Sequence, residues 1–206
     1  MNFQDTQLIG VLARAESTVS SLSSLLGGLV EKFAARGYSL YLVGGSVRDA
    51  LLGRLGNDLD FTTPARPEVV KEILDEWAET VWDTGIDFGT VSAAYKGQQI
   101  EITTFRSDSY DGQSRNPEVV YGDTLEGDLV RRDFKANAMA IELLADASFK
   151  FHDPLHGLQD IADRVLDTPD KPEISFHDDP LRMLRAARFA SQLEFRVADR
   201  VVEAMR

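Results

Sequence analysis

The chain predicts an α+β fold: a mixed sheet backed by helices, followed by a helical segment. Three observations predict it. Short apolar or alternating runs trade places with helix-like stretches between Tyr38 and Phe105. The runs "TVSAAY" and "QIEITTF" flank a turn at Lys96-Gly97, a hairpin signal. From about residue 173 the pattern is helical, with Pro180 opening one helix and Asp199 capping another.

The elements follow in order. Thr18 to Arg36 reads as a helix ended by Gly37. Tyr38 to Val43 is a short apolar strand, and Ser46 to Gly53 a helix with Ser46 as its N-cap. Asp58 to Thr62 alternates as a strand does, and Pro67 starts a helix running to about Val81. Thr90 to Tyr95 and Gln99 to Phe105 form the hairpin. Residues 106–118 are polar and read as a loop, mobile across 107–117. Leu125 to Ala138 is a helix, Met139 to Leu144 a strand, and Phe149 to His152 its return. "PDKPEISFHDDP" reads as a linker. No repeat or low-complexity tract interrupts the chain.

Composition narrows the classes. Of 206 residues, 43% are hydrophobic, enough for a packed core. The absence of cysteine removes disulfides, thiolate zinc and thiol catalysis, and makes the cytoplasm the expected setting. No apolar run has the length of a membrane span, so no membrane partner is expected. A formal charge of −12 argues against a protein that coats nucleic acid, and makes its basic clusters informative. One is Arg131, Arg132 and Lys135; the other is Arg182, Arg185 and Arg188.

The segment "LVGGSVRDALLGRLGNDLDF" carries the first chemistry. On a strand, Asp58 and Asp60 share a face with Cα atoms ~6.5–7 Å apart. Such a pair suits a hard cation such as Mg²⁺, which shares its oxygen shell with phosphates. Glu101, ionisable within an apolar and β-branched run, is the candidate third acid. Gly44 and Gly45, between a strand and a helix, let backbone N–H groups approach an anion, with Arg48 one turn on. Glycines for phosphate and aspartates for metal are the two halves of a nucleoside-triphosphate site. No Walker loop occurs. Taken singly, each feature is more often a turn or a solvated charge; their order within one strand–turn–helix–strand unit is the specific signal.

The second constellation is "DDPLRMLRAARF", with Asp179, Arg182, Arg185 and Arg188 at three-residue steps. A solvated helix face with one ion pair is the ordinary reading. The chemical reading is base selection. An ionised Asp only accepts hydrogen bonds and an Arg only donates them. Cytosine and adenine offer an amine donor beside a ring-nitrogen acceptor, and guanine and uracil the reverse. One Asp–Arg pair therefore selects C and A without a template. Between the two constellations, Arg132, Asp133 and Asn137 of "RRDFKANAMA" read either as capping and surface charge or as sugar and triphosphate contacts. The dyads His152-Asp153 and His177-Asp178 hint at a metal phosphohydrolase, but their turn-like contexts beside proline argue against it.

These motifs, with "EITTFR" and "DPLHGLQDI", occur in the order found in the class II CCA-adding enzyme and bacterial poly(A) polymerase family, which the chain resembles from about Tyr38 to Phe195. The resemblance implies a polymerase-beta-like nucleotidyltransferase head over residues 37–172. An N-terminal helical extension over 1–36 precedes it, and the start of a helical neck over 173–206 follows. It implies Mg²⁺ at Asp58 and Asp60, and Glu101 as the third carboxylate. Gly44, Gly45, Arg48, Arg132, Asp133 and Asn137 would lie at the nucleotide. Asp179 and Arg182 would read the base, supported by Arg185 and Arg188. The implied function is addition of C and A from CTP and ATP to tRNA 3′ ends, with pyrophosphate released. A poly(A) polymerase, a C-only or A-only enzyme, and a nucleotide-binding fragment without turnover are the alternatives. Lys135-Ala136 stands where the family usually has Thr-Ile, His156 where it has Gly, and Asp178 where Glu is frequent. Family members are longer, so the chain is expected to be the N-terminal catalytic portion of a longer enzyme.

Overall fold

The computed structural model describes residues 10–109 and 118–206, except positions 12, 15, 16, 23, 24 and 27. The sheet runs in the order β3-β4-β5-β2-β1-β8-β9, seven strands in all. Its strands are β1 (Leu40–Val43), β2 (Asp58–Thr63), β3 (Thr80–Trp82), β4 (Thr90–Tyr95), β5 (Gln98–Thr104), β8 (Ala140–Leu143) and β9 (Phe149–His152). Only β2 and β5 pair in parallel, with Asp60 opposite Glu101; the remaining pairs are antiparallel. The hairpin turn is as read: Lys96 and Gly97 both take positive φ, 47° and 78°, which a two-residue connection requires.

Alternation sorts the two faces. Leu59 and Phe61 of β2, Val91 and Ala93 of β4, and Ile100 and Ile102 of β5 are buried in the main core. Against them pack α1 (Leu29–Ala35), α2 (Gly44–Leu51) and α3 (Pro67–Asp75), through Leu29, Phe33, Val47, Leu51, Val70 and Ile73. The opposite face is covered only in part. A small second cluster of Val43, Leu129, Ala138 and Ala140 closes it over β1 and β8. Asp58, Asp60, Gln99 and Glu101 remain exposed beside that cover.

Several elements differ from the expectation. The helix predicted from Thr18 is interrupted: Gly28, at φ 84°, precedes α1 as its N-terminal flank. Ser46 is not a cap, because α2 starts at Gly44; its hydroxyl is buried and turned to β2. The helix from Pro67 stops at Asp75, and Thr80–Trp82 is the edge strand β3. The polar stretch carries a ribbon, β6 (Arg106–Ser109) paired with β7 (Glu118–Tyr121). The centre of the predicted mobile loop, residues 110–117, lies outside the described residues. The helix predicted to Ala138 is α4 (Leu125–Val130), capped by Thr124 Oγ1 accepting from Gly127 N at 3.2 Å. It ends at Val130, and the chain tightens into a 3-10 turn at Lys135–Asn137.

The C-terminal third holds α5 (Gly157–Asp163), α6 (Pro172–Asp178), α7 (Leu181–Leu193) and α8 (Asp199–Ala204), with a two-residue parallel pair of β10 (Val165–Leu166) and β11 (Arg196–Val197). The predicted linker is therefore mostly α6, whose Pro172 fits a first helical turn. Asp199 is the first residue of α8 and Ala198 its cap. His177 lies on α6 and His152 on β9, not in turns. Ala186, Phe189, Leu193 and Phe195 join the same core as the sheet. Among the described residues no helix is long and apolar enough to cross a membrane.

One junction under the site is tight. Asp153 caps α5 by accepting from Gly157 N at 2.7 Å and Leu158 N at 3.0 Å. A Cβ on Gly157 would stand 2.1 Å from the Lys135 carbonyl oxygen, so only glycine lets α5 approach the 3-10 turn. On α5, Asp160 has a buried Oδ2 without a hydrogen-bond partner. Burial lifts its pKa to about 6; Lys135 opposes the rise, and Asp167, Asp153 and Asp163 add to it. The folded state therefore holds a proton that the unfolded chain releases near pH 4, and stability falls as pH rises from about 4 to about 6. Asp160→Asn should be more stable than the parent in urea melts at pH 8, with the gain vanishing at pH 4.

Candidate active site

A cleft of about 430 Å³ opens where β1 meets α2. Gly44 and Gly45 line it, with Arg48, Asp60, Arg132, Asp133 and Asn137. Asp179, Arg182 and Arg185 come from the α6–α7 junction to the same cleft. A second depression beside it holds Asp58, Asp60 and Arg188. Glu101 lines neither and lies on the next strand, opposite Asp60.

Gly44 has φ 67°, and a Cβ there would lie 2.9 Å from Arg132 Nη1. Its lack of a side chain lets a guanidinium and the α2 N-terminus share the space beside Asp60. Ser46, 4% exposed, was missed as a site residue. Its Oγ accepts from Asp60 N at 2.9 Å and lies 3.4 Å from the Asp58 carbonyl, so α2 holds the carboxylate strand by its backbone. Asp60 sits between acids and bases. Loss of water around it raises its pKa, Glu101 and Asp58 add to the rise, and Arg132 and Arg48 oppose it.

Arg48 is buried and largely committed. It is bidentate to Asp49 at 3.0 and 2.8 Å, donates to Asn137 Oδ1 at 2.7 Å, and lies 5.1 Å from the centre of the Phe189 ring. Asn137 Nδ2 donates to Asp133 Oδ1 at 3.0 Å, and Arg185 Nε to Asp133 Oδ2 at 2.7 Å. Asp133 and Asn137 thus spend their polar atoms on holding Arg48 and Arg185. Arg185 and Arg188 also flank Phe189, at 5.4 and 4.7 Å. Phe189 escaped the sequence reading, although it stands four residues after Arg185 and one after Arg188.

Asp179 and Arg182 line the cleft without pairing to each other. Asp179 precedes α7, and its Oδ1 accepts from Leu181 N at 3.0 Å. Arg182 donates to Ser175 Oγ and to the Arg131 carbonyl, both at 2.8 Å. The basic wall that Arg182 touches rests on Asp128, 1% exposed. It accepts from Arg131 Nη2 at Oδ1 and Arg132 Nη2 at Oδ2, each at 2.8 Å. The spacing i, i+3, i+4 in "DLVRR" was the available signal. Lys135, the third member of that basic cluster, turns away to Asp167 at 2.7 Å.

The donors fit Mg²⁺. Asp58 and Asp60 offer only carboxylate oxygens on one open face, where a cation would relieve the crowding of acids around Asp60. Among the described residues no three of His, Asp, Glu or Cys converge as a metal-holding group, so phosphate and water would complete the shell.

A family profile described as Poly A polymerase head domain matches residues 40–167. The chain belongs to that family. Among relatives of this head domain, the CCA-adding enzyme of Lactobacillus helveticus (strain DPC 4571) is 43% identical over 171 residues, 82% of this chain and 41% of that protein. The CCA-adding enzyme of Enterococcus faecalis is 40% identical over 178 residues, 86% of this chain and 42% of that one. The chain therefore spans about two-fifths of these curated relatives. The crystal structure of Bacillus stearothermophilus CCA-adding enzyme in complex with CTP superposes with TM-score 0.76 at 37% identity, covering 88% of this chain and 42% of that one. A tRNA nucleotidyltransferase complexed with a primer tRNA and an incoming ATP analog gives TM-score 0.73 at 32% identity, covering 86% and 48%.

Burial raises the Asp128 pKa, but Arg132 and Arg131 outweigh it and leave the carboxyl below its ordinary value. Its ionised form therefore stabilises the fold at neutral pH, and that contribution fades as pH falls below about 4. Asp128→Asn should cost about 2–3 kcal/mol at pH 7, because two guanidiniums lose a buried partner while still reaching water. The cost should shrink in melts at pH 3; a loss equal at both pH values would place the effect in packing.

Proposed function

We propose that this chain is the catalytic head of an Mg²⁺-dependent RNA nucleotidyltransferase. It adds C and A to tRNA 3′ ends from CTP and ATP and releases pyrophosphate. The observation that carries the reading is one cleft lined by the Gly44-Gly45 helix start, Arg132 and Asp60 together with Asp179 and Arg182. A nucleoside triphosphate needs a place for its anion, its metal and its base, and this cleft brings together groups for all three. The names of the relatives point the same way. In this reading residues 1–36, 37–172 and 173–206 act as extension, head and start of a neck. The cysteine-free chain suits the cytoplasm.

The primer 3′-hydroxyl attacks the α-phosphate in line and pyrophosphate leaves. Mg²⁺, when bound, supplies Lewis-acid stabilisation of charge on the reacting oxygens. Asp58 and Asp60 would hold it, and Glu101 would add negative charge on the side of the attacking hydroxyl. The α2 N-terminus and Arg132 take the charge of the departing phosphates. Arg48 and Arg185, fixed by Asn137 and Asp133, shape the wall with Phe189. Asp179 accepts from the amine of C or A through the oxygen not used on Leu181, and Arg182 donates to the ring nitrogen.

Incubating the protein with tRNA lacking CCA and each NTP, then sequencing the 3′ ends, tests the reading. CCA ends support it, a run of A overturns it in favour of a poly(A) polymerase, and unchanged RNA favours the nucleotide-binding fragment without turnover. Asp60→Asn should abolish transfer while raising the apoprotein melting temperature at pH 7. The sign follows from the raised Asp60 pKa: its ionised form costs the folded state stability above the ordinary carboxylate range, and Asn removes that charge. An active Asp60→Asn enzyme would remove this residue from the metal site.

Asp179→Ala tests base selection. It should lower the CTP-over-UTP preference ~10-fold to 100-fold, because a mismatched buried polar group costs about 1–3 kcal/mol. Single-nucleotide incorporation with all four NTPs measures this. An equal loss with every NTP would assign Asp179 to holding the start of α7.

A further inference from the structure

The carboxylates are one end of a row that crosses the sheet. Asp60 stands opposite Glu101, Glu101 opposite Ser92, and Ser92 opposite Trp82. Directly paired residues share a face, so these four side chains rise from the same side. The neighbouring row is Asp58, Gln99, Ala94 and Thr80. The residues between them, Leu59, Ile100 and Ala93, are buried in the core on the reverse face. The row ends at Trp82, which is 43% exposed although it is the largest side chain type on the sheet.

Resting on the nucleotidyltransferase reading, we propose that this open face is the track for the single-stranded 3′ end of the RNA primer, with Trp82 stacking on one of its bases. Three observations fix the occupant. In-line displacement puts the attacking hydroxyl and the leaving pyrophosphate on opposite sides of the phosphate. The Gly44 and Arg132 anion site lies on the β1 side of Asp60, so the hydroxyl comes from the Glu101 side. On the β1 and β8 side the same face is closed by Val43, Leu129, Ala138 and Ala140, whereas Gln99 and Glu101 of β5 and Thr80 and Trp82 of β3 are exposed, with Ser92 and Ala94 of β4 half-buried between them. Finally, the charges of the track gather at its catalytic end, in Asp58, Asp60 and Glu101. Beyond them Ser92, Ala94, Gln99, Thr80 and Trp82 are uncharged.

Such a surface receives bases, not phosphates. An exposed aromatic on a sheet is a sequence-tolerant stacking site for single-stranded nucleic acid. Three strand spacings put Trp82 ~14 Å from β2. That distance is spanned by roughly two to four nucleotides, from about 3.4 Å each when stacked to about twice that when extended. Trp82 would then meet a base just upstream of the primer end, and it would hold the primer without touching the incoming nucleotide.

The experiment uses a six-nucleotide single-stranded RNA and the parent protein, Trp82→Ala, Trp82→Phe and Thr80→Glu. RNA binding is followed by polarisation of a 5′ dye without NTP, and CTP binding is titrated in parallel. Trp82→Ala should bind RNA ~10-fold more weakly, Trp82→Phe within about 3-fold of the parent, and Thr80→Glu ~5-fold more weakly, by repulsion. CTP affinity should stay at the parent value in all three variants. Equal RNA affinity in the parent, Trp82→Ala and Thr80→Glu overturns the track. So does a change of oligomeric state in Trp82→Ala with RNA affinity intact, which would make the edge a contact between copies. Because these titrations need no turnover, they stand apart from the tRNA assay: the 3′ ends decide the enzymatic reading, and the RNA affinities alone decide the track.

Discussion

The period of two in β2 is the constraint on which the rest depends. Leu59 and Phe61 are held in the core, so Asp58 and Asp60 must face the other way, and no side-chain rearrangement can undo that. The cost of gathering acids on one face is met by where the arginines stand. Arg132 and Arg48 oppose the rise in the Asp60 pKa, but they do not cancel it. The face remains crowded with acids. Ser46 fixes the strand through its backbone and leaves both carboxylates unspent.

A second principle governs the arginines. Few of them are loose charges. Asp128 gathers Arg131 and Arg132, Asp49 and Asn137 hold Arg48, and Asp133 holds Arg185. In a chain of net charge −12, acids placed behind the arginines turn them into an oriented wall. Arginine suits this because its planar fork can bind one partner at the rear and present its remaining N–H groups forward.

The strands, the hairpin and the family motifs were legible because alternation and turn chemistry are local. Many residues that line the cleft also stood in short motifs, but Asp58 and Arg188 line the neighbouring depression, Glu101 lies on the next strand, and Phe189 was not read. The misreadings have physical causes. Leu125 to Ala138 has helical composition, yet the helix stops at Val130 and the chain turns again at Lys135, whose carbonyl Gly157 approaches as closely as only glycine can. Pro172 looked like linker punctuation, but proline is at home in a first helical turn. Pairing of Asp179 with Arg182 looked natural at i, i+3, yet Asp179 lies before α7 and Arg182 finds Ser175 and a carbonyl from α4's end. Ser46 acts through a strand 12 to 14 positions on, which a linear reading does not rank, whereas the Asp128 partners at i+3 and i+4 were there to be read.

The long reach of the cleft's bonds sets the order in which it can form. The central parallel pair joins Asp60 to Glu101, Arg48 meets Asn137 across 89 positions, and Arg185 meets Asp133 across 52. Contacts so far apart close late, after hairpins and helices have formed. During synthesis from the N-terminus, the carboxylate strands can pair while the wall that carries Asp179, Arg182 and Arg185 is still unmade. A nascent chain therefore carries its carboxylate pair on an open sheet until α7 has emerged and docked, and the cleft exists only once the last third of the chain is made.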